Sequence, residues 1–187
     1  MVLHLLASLP SFVVGVVVAA QALLGQNGPQ LPAPGAEAAI AAHVGRGRDL
    51  LDSEDPVGAW DAFRKAAMAG ADPRECLHGL GRAHLMLGHS AFAVAYAEAG
   101  LRCEPADQDA MALCVRALIR ARRFDEAVAT AGRFVQRTER PNAELLAARA
   151  SSLFRVQRID EAAASYKKAV GLDPQNAEGH LRLGSGL

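Results

Sequence analysis

The chain has 187 residues, half of them apolar but only 5% aromatic. Its core must therefore be assembled from Ala, Leu and Val, a mixture that favours closely packed helices over a β-sandwich. Twenty basic and twenty acidic side chains cancel, so the bulk charge carries no footprint for nucleic acid.

The first predicted element is the stretch VLHLLASLPSFVVGVVVAAQALLG, which holds no charged side chain. At 1.5 Å per residue its 24 positions reach about 36 Å, beyond a hydrocarbon core of ~30 Å. Residues 1–24 accordingly read as a single transmembrane helix or signal anchor, with Pro10 and Gly15 loosening the helix without forbidding the span. Cleavage near the small residues Ala20 and Ala22 is the competing reading and gives a secreted or periplasmic protein. Retention is favoured, because no Lys or Arg precedes the apolar run and the run continues through Leu23 and Leu24. A short tail with a large domain behind it suits export, which puts the remaining chain outside the cytoplasm, periplasmic or otherwise. The positive-inside rule has nothing to count before Arg46. Residues 25–39, with GQNGPQLPAPGA at their core, read as a Pro/Gly-rich linker.

Beyond the linker the chain repeats itself. RRFDEAVATAGRFV (122–135) returns as QRIDEAAASYKKAV (157–170). Ala59, Ala93, Ala127 and Ala162 mark the same column at steps of 34, 34 and 35 residues. Gly47, Gly81, Val115, Ala150 and Gly184 form a mostly small column, and Leu50, His84, Leu118, Leu153 and Leu187 a mostly large one. Ala66, Gly100, Phe134 and Ala169 form another, while Pro105 and Pro174 close the second and fourth units. Small residues where helices cross let the backbones approach to the short end of about 8–10 Å, and a large residue one turn along fills the remaining space. One helical pair cannot bury its own apolar face, so successive units stack and share a core.

The period and columns resemble the tetratricopeptide repeat (TPR), a helix–turn–helix unit. The fourth unit, 143–176, fits through Leu146, Ala150, Leu153, Ala162, Tyr166, Ala169 and Pro174. The second, 74–107, fits through Leu80, Gly81, Ala93 and Pro105; the third, 108–142, through Leu118, Phe124 and Ala127, without a closing proline. The first, 40–73, departs most: Arg46 stands at a large apolar position, as Arg149 does in the fourth, and Gly45 and Gly47 interrupt its first helix. Residues 177–187 are a partial fifth unit or capping helix. The resemblance implies an all-α, right-handed superhelical solenoid over 40–176 whose first helices line a concave groove that holds peptides or helices of partner proteins.

Stepping by the repeat along that inner side gives Arg48, Arg82 and Arg116, ending at Ser151; three residues further come Leu51, Leu85, Ile119 and Phe154, and then Arg120 and Arg155. An arginine row beside an apolar row suits an acidic and apolar peptide or C-terminal tail. The bland alternative is that the arginines cover apolar surface or face Glu75, Asp109 and Glu144 along the same helices. The lysine and asparagine clamp of the chaperone-binding members is absent, since Val44 and Arg48 hold the corresponding places. The third unit is the most basic, seven cations against four carboxylates giving a net charge of +3, a surface for anionic lipid or an acidic partner if it is not simply a solvated face.

No set of residues looks catalytic, and no cofactor or metal is implied. GHSAF (88–92) lacks the last glycine of a nucleophile elbow, and GRGRDL (45–50) fails the third glycine of a dinucleotide loop. His78, His84 and His89 lack the spacing of a helical metal pair; His84 falls in a packing column and reads as a core residue, and Trp60 reads as packed against a neighbouring helix. The cysteines Cys76, Cys103 and Cys114 form no CxxC, so buried free thiols are the simple reading and a Cys76–Cys103 bridge in an oxidising compartment the other. The expected function is thus non-enzymatic: a membrane-anchored scaffold or assembly factor, resembling the anchored repeat proteins of bacterial cytochrome c maturation. A permanent subunit of a membrane complex is the alternative. The excess of arginine over lysine and of alanine fits a GC-rich bacterial genome.

Overall fold

The structure, a computed structural model, describes residues 36–175. The expected membrane segment over 1–24, most of the linker and the partial fifth unit over 177–187 lie outside the described residues. Among the described residues no helix is long and apolar enough to cross a membrane. They form eight helices and no strand: α1 (Ala36–Asp52), α2 (Pro56–Met68), α3 (Pro73–Met86), α4 (Ser90–Cys103), α5 (Gln108–Arg120), α6 (Phe124–Arg137), α7 (Ala143–Arg155) and α8 (Ile159–Leu172). Helix α1 starts at Ala36, so the last four residues assigned to the linker are helical. The run AEAAIAA consists of strong helix formers, with Glu37 complementing the dipole in the first turn.

Each unit is a hairpin of two helices, and its second helix packs on the first helix of the next unit. The first helices α1, α3, α5 and α7 also touch in succession, forming one layer of the solenoid. The punctuation between helices repeats as faithfully as the helices do. Asp72, Asp107 and Asn142 cap α3, α5 and α7, their side-chain oxygens accepting from Arg74 N–H, from Asp109 and Ala110 N–H, and from Leu145 N–H at 2.9–3.0 Å. Within each hairpin one residue turns left-handed: Glu54 (φ 59°), Gly88 (φ 77°), Arg122 (φ 60°) and Gln157 (φ 62°). The amide that follows donates back to the carbonyl five residues earlier, as from His89 to His84 at 2.9 Å and from Arg158 to Leu153 at 3.0 Å.

The core follows the stack as three clusters of buried residues, one across the first two units, one from the second unit into the fourth, and one within the fourth. Ala59, Ala93, Ala127 and Ala162 are each completely buried, as the repeat register requires. Where a large side chain enters, a neighbouring helix gives way. The buried Phe63 ring on α2 lies against Gly47 of α1 and Gly79 of α3, where an added Cβ would come within 2.8 Å and 2.5 Å of the ring. Gly47 therefore does not interrupt α1, which is one continuous helix; it makes room for Phe63. One unit later the bulk changes sides: Ala97 stands in place of Phe63, and Leu113 of α5 fills the space against Gly81. His84, in the large column, is buried and stacks on Phe92 and Tyr96 at 5.1 and 5.3 Å, with its Nδ1 3.4 Å from that of His89. Trp60 is half-buried against the same cluster and receives the Arg64 guanidinium at 5.5 Å. The cysteines are free thiols, and burial pushes those of Cys76 and Cys114 up to about 11.

Candidate functional site

The inner layer of first helices carries three cavities in succession, and the residues expected in the groove line them. The first, about 280 Å³, lies between α1 and α3 and is bounded by Arg48, Leu51, Asp52, Glu75, His78 and Arg82. The second, about 360 Å³, runs between α3 and α5 past Arg82, Leu85, Asp109, Arg116 and Glu144. The third, about 380 Å³, lies between α5 and α7 and is bounded by Arg116, Ile119, Arg120, Phe154 and Arg155, with Leu85 and Met86 at its near edge. All nine residues expected in the groove thus come to one face.

The arginine row is less free than the bare columns suggest. Arg48 pairs with Glu75, and Arg116 pairs with Glu144, each a first-helix arginine reaching the acid at the start of the next first helix. The same step from Arg82 leads to Asp109, but that pair does not form. Aspartate is one methylene shorter, and its Oδ1 accepts from Asn142 Nδ2 at 3.1 Å instead. Arg82, Arg120 and Arg155 consequently have no carboxylate partner among the described residues. Two members of the arginine row thus serve as inter-unit ties, facing the acids along the inner helices as the alternative reading has it. These ties are solvent-exposed, the Arg48 and Glu75 side chains by 65% and 32%, so each contributes little and a ligand can exchange for it.

The apolar row also divides. Leu51 and Ile119 are buried at 4% and 8% exposure and form the floor, while Leu85 and Phe154 are half-buried and Met86 is 38% exposed. Met86 escaped the sequence reading because its repeat equivalents are Asp52, Arg120 and Arg155, a column with no common chemistry. His78 was also missed; it lies between the first two cavities, and burial followed by the nearby Arg82 guanidinium holds its imidazole below the ordinary histidine range. At the far end Ser151 Oγ and the fully buried Tyr166 hydroxyl lie 2.8 Å apart, a polar wall where the other units carry arginine. No group of three or more His, Cys, Asp or Glu suited to a metal occurs among the described residues.

The family model for the TPR repeat matches residues 151–185. No curated protein matches the chain. Among solved structures, YrrB, described as a TPR protein with an unusual peptide-binding site, aligns with a TM-score of 0.57 at 19% identity, over 79% of this chain and 75% of its own. MamA from residue 41 to its end, from Desulfovibrio magneticus RS-1, aligns with a TM-score of 0.57 at 20% identity, over 79% and 82%. A tetratricopeptide repeat protein from Parabacteroides merdae ATCC 43184 aligns with a TM-score of 0.67 at 17% identity; it covers 78% of this chain and 56% of that one. At such identities the likeness is one of fold. The described residues form an all-α array of tetratricopeptide-type helix–turn–helix repeats, and its last described unit begins the segment that matches the TPR repeat family in sequence.

Proposed function

We propose that the chain is a non-enzymatic, membrane-tethered scaffold or assembly factor whose groove holds an acidic and apolar segment of a partner protein. The observation that carries this reading is the groove itself: Arg82, Arg120 and Arg155, without carboxylate partners among the described residues, stand beside the half-buried Leu85 and Phe154. Guanidinium groups in that position offer bidentate hydrogen bonds to carboxylates, and the apolar residues receive the neighbouring side chain. YrrB, a neighbour in fold, is described as having a peptide-binding site, which makes such a use of the array reasonable here. Tethering rests on the charge-free stretch over residues 1–24 and on the linker that follows.

The test is recovery of partners from native membranes in mild detergent, using the full chain and a variant carrying Arg82→Glu, Arg116→Glu and Arg120→Glu. Circular dichroism checks that the variant keeps its helices. A partner recovered by the parent and lost from the variant supports the groove. Equal recovery by both sinks it, and leaves the standing-subunit reading, for which the exposed Val57, Met68 and Leu172 offer contact surface.

A further inference from the structure

The three cavities of the groove do not carry the same charge. The first includes Asp52 and Glu75, and the second includes Asp109 and Glu144. The third is bounded by Arg116, Arg120 and Arg155 and has no carboxylate among the described residues of its wall. Arg116 is balanced by Glu144, which faces the neighbouring cavity, and so the third holds two positive charges without a counter-charge among the described residues. We propose that this cavity receives a phosphorylated side chain of the partner segment. The proposal rests on the groove reading above and specifies which anion its basic end selects.

The geometry favours a dianion over a single carboxylate. Arg116 and Arg120 are one turn apart on α5, so their side chains leave the same face. Arg155 is the repeat equivalent of Arg120 on α7, the adjacent helix of the inner layer, at an axis spacing of about 8–10 Å. Guanidiniums on two facing helices can grip one group from both sides. A phosphate carries about −1.5 to −2 charges at neutral pH and three acceptor oxygens, enough for two bidentate arginines. A lone carboxylate brings one charge and leaves the other guanidinium uncompensated. The Ser151–Tyr166 hydroxyl pair makes one wall polar, while Leu85 and Phe154 give an apolar wall for the residue beside the phosphate. The volume of about 380 Å³ leaves room for both.

The full chain in detergent, immobilised, is offered three nine-residue peptide libraries with degenerate flanks and serine, phosphoserine or glutamate fixed at the centre. The expected result is at least ten-fold greater retention of the phosphoserine library than of the serine library, and at least three-fold greater than of the glutamate library. Arg120→Gln with Arg155→Gln abolishes that margin, Arg120→Lys with Arg155→Lys keeps part of it, and Lys65→Gln on α2, outside the groove, leaves it intact. Circular dichroism accompanies each variant. Retention of the glutamate library equal to the phosphoserine one overturns the phosphate assignment and leaves the acidic-groove reading standing. A phosphate preference that survives the glutamine pair places the phosphate elsewhere and overturns the site. If no library is retained above a column without protein, both readings fall.

Discussion

At the joint between the first two units the bulk sits on the second helix of the hairpin. Phe63 projects from α2, and the first helices on either side answer with Gly47 and Gly79. One joint later the arrangement is inverted, with Ala97 in the place of Phe63 and Leu113 in the place of Gly79, the latter against Gly81. In the fourth unit the large residue returns as Tyr166, now beside Ala150. What is kept along the array is the volume filled at each crossing, not the residue that fills it. Close packing enforces the sum, while either helix can supply it.

This comparison breaks most sharply at Phe63. Phe63→Ala is expected to cost about 3–5 kcal/mol in chemical denaturation, since the glycines opposite cannot close the gap. Gly79→Leu alone overpacks the same joint, whereas Phe63→Ala with Gly79→Leu installs the second joint's solution in the first. The double variant should recover stability, with a favourable coupling of about 0.5–3 kcal/mol in the mutant cycle. Strict additivity would show that the two joints do not share this logic.

The next effect concerns the turns within the hairpins, where only one of the four left-handed positions is glycine. At Gly88 an added Cβ meets nothing within 4 Å, so Gly88→Ala isolates backbone strain; it should cost about 1–2 kcal/mol. Gln157→Gly relieves the same strain but frees the unfolded chain by about 0.5–1 kcal/mol, so its melting temperature should rise only slightly.

A smaller, pH-dependent difference separates the second unit from its neighbours. His84 occupies a column that is leucine at Leu50, Leu118 and Leu153, and burial followed by the adjacent His89 lowers its pKa. The unfolded chain therefore binds the proton more readily than the folded one. The stabilising neutral form is fully present above ~pH 6.5, the ordinary histidine value, and its contribution is lost as pH falls through the lower folded value. His84→Leu should flatten this loss; His78, also depressed, remains in both proteins and cancels from the difference. A difference curve that is level with pH would remove His84 as its source. The smallest effect is expected at the exposed Arg48–Glu75 tie, where Glu75→Gln should shift stability by no more than about 0.5 kcal/mol in denaturant titration.

The groove shows the same contrast between its ends in charge. One column along the inner layer runs from Asp52 through Met86 to Arg120 and Arg155; the first cavity is balanced, Arg48 and Arg82 against Asp52 and Glu75, while the third is basic. Arg120 and Arg155 were legible in the repeat register, whereas Asp52 and Met86, with no chemistry in common with them, were not. Nor were the partners of the inner-layer acids. Glu75, Asp109 and Glu144 sit in equivalent places, but two of them tie to the preceding arginine and one turns to Asn142. That choice depends on the length of one side chain and on a cap in the next unit, and neither belongs to a column.

By itself, the sequence determined the number and spacing of the helices, the alanine column at their crossings and the face that becomes the groove. Those features recur every 34 or 35 residues, and a recurring local pattern can be read without knowing what touches what. Only the tertiary structure decided that Gly47 serves Phe63 rather than breaking α1, and that two groove arginines are engaged. It also decided that the third cavity is the one without an acid among the described residues of its wall. These outcomes turn on side-chain reach and volume between packed helices, where each residue answers to a neighbour about half a repeat or more away in sequence.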